Sequence, residues 1–256
     1  MRIVLNENIA SDYKSPSQKI RVMTEYWVET QAYCPSCGNK MKKYPNNNPV
    51  GDFYCLHCLE DYELKSKKGN NLPKKVVDGA YKTMIERLQE SHNPSFFFLN
   101  YELSSYKVIN FVIIPKHFFI PDIIEKRKPL SQNARRAGWV GCNILLTSIP
   151  NSGKIFYIKN AKVEPREKVL ERWKKTLFLR EVKKKELKGW ILDVMNCVDA
   201  LNKQVFTLSE MYNFEKVLAI NHPNNRHIKD KIRQQLQFLR DKGYIEFLGN
   251  GKYRLV

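Results

Sequence analysis

The stretch that decides the fold is residues 34–65, which read CPSCGNKMKKYPNNNPVGDFYCLHCLEDYELK. Two Cys-x-x-Cys pairs, separated by 17 residues, frame most of it, and an Asp…Glu-x-Lys pattern is interleaved with the second pair. The residues concerned are Cys34, Cys37, Cys55 and Cys58, together with Asp52, Glu63 and Lys65. One short segment therefore carries two chemical patterns, and each restricts how the segment can fold.

The spacing of the four cysteines is typical of a zinc site, because each Cys-x-x-Cys turn presents two thiolates to one tetrahedral metal. Four thiolates leave no open coordination position, so we expect Zn²⁺ to be structural rather than catalytic. His57, inside the second turn, is expected to be a bystander, and Cys142 and Cys197 to be ordinary buried thiols. The alternative for the four cysteines is a structural role without metal.

Residues 61–67 alternate polar and apolar side chains, which predicts a β-strand. In that strand Glu63 and Lys65 face one side, while Leu64 faces the core. Asp52 opens the preceding strand, and the second Cys-x-x-Cys pair forms the bend between the two strands. Pairing these strands is expected to bring Asp52 close to Glu63.

This trio suits the cleavage of a phosphodiester, whose negative charge repels nucleophiles. A hard cation such as Mg²⁺ can neutralise the developing charge and deliver a hydroxide, and Asp52 and Glu63 are the carboxylates expected to bind it. Lys65 is expected to orient the attacking water and to stabilise the transition state. The pattern alone is weak, since an exposed strand with alternating charges looks the same.

The overall charge points to a polyanionic partner. The 256 residues carry a formal charge of +18, and a hydrophobic content of 43% suffices for one large domain or two ordinary ones. Nucleic acid is a stronger candidate than a membrane surface, because no apolar run approaches the ~18–20 residues of a spanning helix. The N-terminus lacks the apolar run of a signal peptide, so we expect a cytoplasmic protein with reduced thiols.

The remaining segments predict a mixed α/β domain. Residues 95–101 and 106–114 are apolar, aromatic and β-branched, which is typical of paired strands buried on both faces. A hairpin is predicted at 154–163, and a long basic loop at 128–143. Helices are predicted to begin at Pro16, with Ser15 as the N-cap, to run from about Val76 to Leu88, and to run from Pro165 to about Val182.

The end of the chain is predicted to be a separate DNA-binding domain. Lys183-Lys184-Lys185-Glu186 is typical of a linker, which divides the chain into 1–182 and 183–256. Three helices and a glycine-tipped hairpin then predict a winged helix. The third helix, 225–242, has an apolar stripe formed by Ile228, Ile232, Leu236 and Leu239.

The basic and hydrogen-bonding side chains of this domain are its candidate DNA contacts. They are Asn225, Arg226, His227, Lys229, Lys231, Arg233 and Gln234 in the third helix, and Lys252 and Arg254 beside the wing. The alternative is a protein-interaction module with a solvated basic face.

Several segments of this sequence match one family. They are Tyr33-Cys34-Pro35, Asp52-Phe53-Tyr54-Cys55, Glu63-Leu64-Lys65-Ser66-Lys67-Lys68-Gly69, Ala134-Arg135-Arg136-Ala137-Gly138-Trp139 and Lys231-Ile232-Arg233-Gln234-Gln235-Leu236. On these motifs the whole chain resembles the DpnI-like, methyl-directed type II restriction endonucleases. The resemblance implies an α+β core of the PD-(D/E)xK restriction-endonuclease type with an embedded four-cysteine zinc site, then a C-terminal winged helix-turn-helix. Gly51 departs from the motif, which has proline before the aspartate.

The resemblance also implies an activity and a role for the basic loop. The activity is cleavage of double-stranded DNA at GATC sites carrying N6-methyladenine, which both domains read. Trp139 is expected to pack its indole against the adenine methyl, and Arg135 and Arg136 to contact phosphates or the minor groove. A buried core position is the alternative for Trp139.

We therefore expect a monomeric endonuclease with Mg²⁺ as the catalytic cofactor, Zn²⁺ as a structural one, and adenine-methylated duplex DNA as the partner. One alternative is a zinc-ribbon, winged-helix transcription regulator without catalysis. Another is a repair or recombination nuclease of the same fold that cuts without regard to methylation.

Overall fold

The computed structural model describes residues 1–46, 48, 51–89 and 93–256. The chain forms two compact units. The first comprises Met1–Leu146 and Ser152–Thr176, and the second comprises Thr147–Asn151 and Leu177–Val256. The sequence predicts a division between residues 182 and 183. The predicted linker lies inside the second unit, where a helix begins at Lys185.

The first unit is built around β-strands, with helices α1 (Pro16–Gln31), α2 (Tyr81–Arg87) and α3 (Arg166–Lys175). Its strands are β1 (Lys42–Lys43), β2 (Phe53–Tyr54), β3 (Asp61–Lys68), β4 (Lys75–Ala80), β5 (Ser95–Tyr101), β6 (Val108–Ile114), β7 (Ile124–Lys126), β8 (Gly141–Leu145), β9 (Ile155–Lys159) and β10 (Lys162–Val163). Among the described residues, seven of these strands form the main sheet, in the order β1-β2-β3-β5-β6-β9-β10.

The centre of the main sheet is the core of the first unit. β3 and β5 run parallel, and β5 and β6 antiparallel. Every residue of β5 is buried, which confirms the prediction made from its apolar sequence. Phe97 of β5 stacks on Phe111 of β6 with ring centroids 4.9 Å apart, and Tyr62 of β3 packs on the same Phe97.

A second sheet, in the order β4-β8-β7, corrects one prediction. The helix expected from Val76 to Leu88 is wrong, because the chain first forms the strand β4 and turns into α2 only at Tyr81. The β-branched pair Val76-Val77 and the following Gly79 favour an extended backbone, and pairing of β4 with β8 stabilises it.

Other elements of the first unit follow the sequence more closely. α1 begins at Pro16 after Ser15, as predicted, and the predicted hairpin is formed by β9 and β10. The helix predicted from Pro165 is shorter, since α3 ends at Lys175. The basic loop ends earlier than predicted, at the start of β8. The Leu130 amide donates to the Trp139 carbonyl and the Gly138 amide donates to the Leu130 carbonyl, which closes the loop into a hairpin-like shape.

The second unit has α4 (Lys185–Leu201), β11 (Val205–Thr207), α5 (Leu208–Tyr212), α6 (Glu215–Asn221), α7 (Ile228–Asp241), β12 (Ile245–Gly249) and β13 (Lys252–Leu255). The wing strands pair in the order β11-β13-β12. Thr207 and Glu210 form a reciprocal capping box at the start of α5.

Short 3-10 helices occur in the described parts of both units, at Asn8–Ala10, Lys116–Phe118, Pro121–Ile123, Leu146–Ser148, Asn151–Gly153 and Leu177–Arg180.

The third helix of this unit confirms its predicted apolar stripe. Ile228, Ile232, Leu236 and Leu239 are each at most 5% exposed. The helix begins at Ile228 rather than at Asn225, because the Asn225 side chain accepts a hydrogen bond from the His227 amide and holds the chain in a turn. In the part of the chain that the structure describes, no helix combines the length and the apolar character needed to cross a membrane.

Candidate functional site

The two Cys-x-x-Cys pairs form turns with the same backbone hydrogen bonds. The amide of Cys34 donates to the carbonyl of Asn39, and the amide of Gly38 donates to the carbonyl of Cys34. Cys55 repeats both bonds with the residues five and four positions later. The fifth residue of each turn, Gly38 or Leu59, has a positive φ, of 81° and 58° respectively. The turns therefore present their sulfur atoms in matching geometry.

The four sulfur atoms converge on one point. Cys34 lies 3.4 Å from Cys58, and Cys37 lies 3.5 Å from Cys55. All four ligand atoms are within 4.8 Å of one another. Sulfurs at about 2.3 Å from a tetrahedral zinc are about 3.8 Å apart, so the cluster fits a zinc ion.

The surroundings of this cluster shift the pKa values of its thiols. Burial raises the pKa of the Cys34 thiol, and burial also raises that of Cys58. For Cys37, burial is outweighed by hydrogen bonds to Asn39, which help lower the pKa to about 7. A divalent cation would offset the cost of four clustered thiolates, of which Cys34 and Cys55 are buried.

The hairpin of β2 and β3 carries the second Cys-x-x-Cys pair at its bend, with Asp52 just before β2 and Glu63 on β3. Phe53 pairs with Tyr62 across the hairpin. The amide of Asp52 donates to the Tyr62 carbonyl over 2.8 Å, and Asp52 Oδ2 accepts from the Leu64 amide over 2.7 Å. This register places Asp52 across from Glu63.

An ion-pair network surrounds Lys65. Its Nζ lies 2.5 Å from Glu63 Oε1 and 2.6 Å from Asp78 Oδ1. The other Glu63 oxygen lies 3.6 Å from Arg87 Nη1. Asp78 is on β4, in the second sheet, so the network joins the two sheets of the first unit.

A cleft of about 690 Å³ opens beside these groups. Asp52, Glu63 and Lys65 all line it. Four further basic side chains line the same cleft, namely Arg21, Lys43, Lys67 and Lys68. The cleft can therefore offer acidic ligands to a cation and basic groups to an anionic substrate at the same time.

Burial perturbs the ionisable groups of the cleft. It raises the pKa of Asp52, against the hydrogen bond from Leu64, and it raises the pKa of Glu63, against the charge of Lys65. Burial alone would lower the pKa of Lys65, but the carboxylates of Glu63 and Asp78 outweigh it and hold the pKa above its usual value. Lys65 is therefore an ammonium at neutral pH.

The cleft also contains charged residues that the sequence did not single out. Glu25 of α1 is buried, with 7% exposed, and its carboxylate lies 2.7 Å from Lys43 Nζ. Arg21, one helical turn earlier, lies 3.7 Å from the same carboxylate. The charge of Glu25 adds to the raised pKa of Asp52. A helix residue so far from Asp52 in the sequence carries no local signal of this proximity.

One predicted orientation on β3 is wrong. Leu64 was expected to face the core, but it is half-buried and lines the cleft. Tyr62, by contrast, is fully buried. By the pairing of Phe53 with Tyr62, Leu64 lies opposite Gly51, which precedes the start of β2.

Trp139 lies near the end of the basic loop and is half-buried rather than in the core. The Arg136 guanidinium lies over its indole, 4.6 Å from the ring centroid. A Cβ atom at Gly141 would lie 2.8 Å from the indole, so the ring packs directly on the glycine. Arg135 is exposed. The loop thus holds the indole of Trp139 against the guanidinium of Arg136.

The predicted contacts of the second unit are divided between a turn and a helix. Asn225 and Arg226 precede α7, and His227 is its N-cap. The side chains on α7 itself are Lys229, Lys231, Arg233 and Gln234. Among all seven, Asn225 and Lys231 are half-buried and the others are exposed.

Among the predicted DNA contacts of this unit, Lys229 and Arg254 have acidic partners. Lys229 lies 3.4 Å from Glu215, and Arg254 lies 2.5 Å from Glu246 on the adjacent wing strand. Lys252, at the wing, is exposed. Because exposed ion pairs contribute little free energy, a phosphate can compete for these cations.

The first unit thus combines a mixed α/β fold with a four-cysteine cluster, and the second has the helices and hairpin of a helix-turn-helix domain. Family comparison matches residues 1–182 to the DpnI model, described as the Dam-replacing family. Residues 186–255 match the DpnI_C model, described as the Dam-replacing HTH domain. The chain belongs to the Dam-replacing family, and the resemblance inferred from its sequence is confirmed.

Proposed function

We propose that this protein is a methylation-dependent type II restriction endonuclease, which hydrolyses double-stranded DNA at GATC sites containing N6-methyladenine. The observation that carries the proposal is the cleft in which Asp52, Glu63 and Lys65 meet beside a row of basic side chains. Membership of the Dam-replacing family supports it. We assign the catalytic core, of the PD-(D/E)xK type, to residues 1–182, and a winged-helix reader to residues 183–256.

Asp52 and Glu63 are the proposed ligands of catalytic Mg²⁺. When bound, Mg²⁺ would neutralise the charge that develops on the phosphate and lower the pKa of a water molecule. Among the described residues, the four cysteines are the only group of three or more Cys, His, Asp or Glu ligand atoms that converges. Two carboxylates therefore leave coordination positions for water and phosphate oxygens, as Mg²⁺ sites usually do.

Lys65 supplies a fixed positive charge at the same place. Its ammonium can donate hydrogen bonds to the attacking water and to a phosphate oxygen, which holds both in line. In this role it stabilises the negative charge of the transition state. Arg21, Lys43, Lys67 and Lys68 are suited to bind the DNA backbone on either side of the cleaved phosphate.

Target selection is assigned to two surfaces. In the basic loop, Trp139 offers an apolar face for the adenine methyl, while Arg135 and Arg136 contact the backbone. In the second unit, the exposed residues of α7 are suited to base edges in the major groove, and Lys252 and Arg254 to phosphates. The GATC sequence and the methyl requirement are supported by the family.

A plasmid assay tests this function. Plasmid prepared with and without adenine methylation is incubated with the protein and Mg²⁺. Cleavage of the methylated plasmid alone supports the proposal. Cleavage of both would indicate a nuclease indifferent to methylation, and binding without cleavage would indicate a transcription regulator.

The variant Asp52→Ala tests the active-site assignment. Because it removes a proposed metal ligand but no DNA contact, it should abolish cleavage and still bind the methylated duplex. Retained cleavage would refute the assignment of Asp52.

A further inference from the structure

Asp78 is a buried carboxylate that the proposed reaction does not yet use. It lies on β4, in the second sheet, and its side chain is only 6% exposed. Its Oδ1 nevertheless lies 2.6 Å from Nζ of Lys65, on β3 of the main sheet. Asp78 is not among the described residues that line the cleft. It therefore contacts the lysine from behind, away from the space open to DNA.

The backbone of β4 explains how Asp78 reaches the lysine. Asp78 pairs with Cys142 of β8, and a β-bulge follows at Gly79, before Ala80 pairs with Gly141. Bulges change the direction in which neighbouring side chains point. Val76, two residues before Asp78, borders a small apolar cavity together with Lys65. The same face of β4 thus packs on the lysine stem and binds its ammonium.

Lys65 needs a partner other than Glu63 if Glu63 binds a metal ion. Glu63 Oε1 lies 2.5 Å from Nζ of Lys65. A carboxylate shared with a divalent cation attracts the ammonium less, and the two cations repel each other. Lysine has a flexible four-carbon stem, so the ammonium would otherwise be free to move away from the cleft.

We propose that Asp78 is a positioning residue of the nuclease, which keeps the Lys65 ammonium at the edge of the cleft when Glu63 becomes a metal ligand. This inference rests on the proposed function. It gives the second sheet a part in the reaction, since β4 supplies the carboxylate. Asp78 acts through Lys65 and contacts neither DNA nor metal.

The test is a double-mutant cycle with two readouts. Single-turnover cleavage of a methylated GATC duplex is measured for wild type, Asp78→Asn, Lys65→Ala and the double variant. Fluorescence anisotropy without divalent metal gives the Kd of each for the same duplex. Asp78→Asn should slow cleavage about 10- to 100-fold, as loss of a supporting partner typically does, with a Kd within about twofold of wild type. In the Lys65→Ala background, Asp78→Asn should cause no further loss of cleavage rate.

Two further variants complete the design. Glu125→Gln is the matched control, because Glu125 lies in the same sheet and pairs with Lys75 at 2.9 Å, outside the cleft. It should cleave at the wild-type rate. Asp78→Ser, which is smaller and neutral, gives the same comparison if Asp78→Asn does not fold.

The outcomes separate this inference from the proposed function. Wild-type cleavage by a folded Asp78 variant overturns the inference alone. A further loss in the Lys65→Ala background also overturns it, because Asp78 would then act independently, as a metal ligand does. If wild type fails to cleave the methylated duplex, the proposed function is overturned and this inference with it.

Discussion

The hydroxyl of Tyr62 lies 3.0 Å from Sγ of Cys34, so the cysteine cluster and strand β3 are joined by a buried contact. Burial, then the proximity of Cys34, raises the pKa of Tyr62, which keeps its hydroxyl protonated and able to donate to a thiolate. Glu63 is the next residue on the strand. Two successive residues of β3 therefore connect the two sites, since Tyr62 contacts the cysteine cluster and Glu63 lines the cleft.

The Tyr62–Cys34 contact predicts that Tyr62→Phe weakens zinc binding. Phenylalanine keeps the buried ring, but no group then donates to the Cys34 sulfur. Loss of such a partner typically reduces metal affinity by about 10- to 100-fold. The affinity is measured by competition with a chromogenic zinc chelator.

Tyr44→Phe is the matched control for this measurement. It removes a tyrosine hydroxyl that donates to Asp61, 2.8 Å away, rather than to sulfur. Its zinc affinity should equal that of wild type. Equal affinities for Tyr62→Phe and wild type would show that the contact does not support the metal.

The cysteine cluster and the acidic pair were predictable because they are local in the sequence. The two cysteine turns and the hairpin of β2 and β3 follow one another closely in the sequence, and alternation along β3 predicts that Glu63 and Lys65 lie on one side. Only the pairing of two adjacent strands was needed to bring Asp52 opposite Glu63. Short-range patterns of this kind can be recognised without knowing how the rest of the chain packs.

Asp78 and Glu25 were not predictable for the opposite reason. Asp78 reaches Lys65 only because β4 pairs with β8, more than sixty residues later in the chain. The segment was also predicted to be helical, which would have hidden the alternation of Val76 and Asp78. Glu25 lies on α1, and its place in the cleft depends on how that helix packs against the sheet. Tertiary contacts of this kind leave no periodic signal in the sequence.

The raised pKa values of Asp52 and Glu63 predict a pH dependence of the magnesium requirement. Burial is the main cause of both shifts. Below its raised pKa each carboxyl group holds a proton, which Mg²⁺ must displace. The Mg²⁺ concentration for half-maximal cleavage should therefore rise as the pH falls toward and below these raised pKa values, by up to about tenfold per pH unit for each displaced proton.

The same shifts affect stability in the metal-free protein. A folded state with raised carboxyl pKa values binds more protons than the unfolded state, so these two groups make stability fall as the pH rises from the unfolded to the folded pKa.

Single-turnover rates across a grid of Mg²⁺ concentration and pH check the predicted pH dependence of the magnesium requirement. A half-saturating concentration that stays constant with pH would contradict it.

The packing of Trp139 on Gly141 predicts that Gly141→Ala impairs methyl recognition. The added Cβ would lie 2.8 Å from two indole carbons, so the ring must move. One methyl group recognised in an apolar site is worth about 1–3 kcal/mol, so the preference for methylated over unmethylated DNA should fall roughly tenfold or more. The ratio of the two cleavage rates measures it.

Trp139→Ala gives the reference for that experiment. It removes the indole outright and should lower the same ratio at least as far as Gly141→Ala does. An unchanged ratio in both variants would show that another group reads the methyl. Circular dichroism confirms that each variant is folded.

Leu59 offers a stabilising substitution in the second cysteine turn. It has φ of 58° and is 78% exposed. A left-handed conformation costs an L-residue roughly 1–2 kcal/mol, whereas glycine adopts it freely but loses about 0.5–1 kcal/mol through its more flexible unfolded chain. Leu59→Gly should therefore raise the free energy of unfolding by about 0.5–1 kcal/mol, measured by chemical denaturation with zinc present.

The control removes a glycine from the first turn, where Gly38 occupies the equivalent position with φ of 81°. There an added Cβ would also lie 2.7 Å from the guanidinium of Arg166, which donates to the Gly38 carbonyl and lies over the Tyr33 ring. Gly38→Ala should therefore destabilise the protein by about 1–3 kcal/mol, from backbone strain and the displaced arginine. If both substitutions changed stability in the same direction, backbone conformation would not be what distinguishes the two turns.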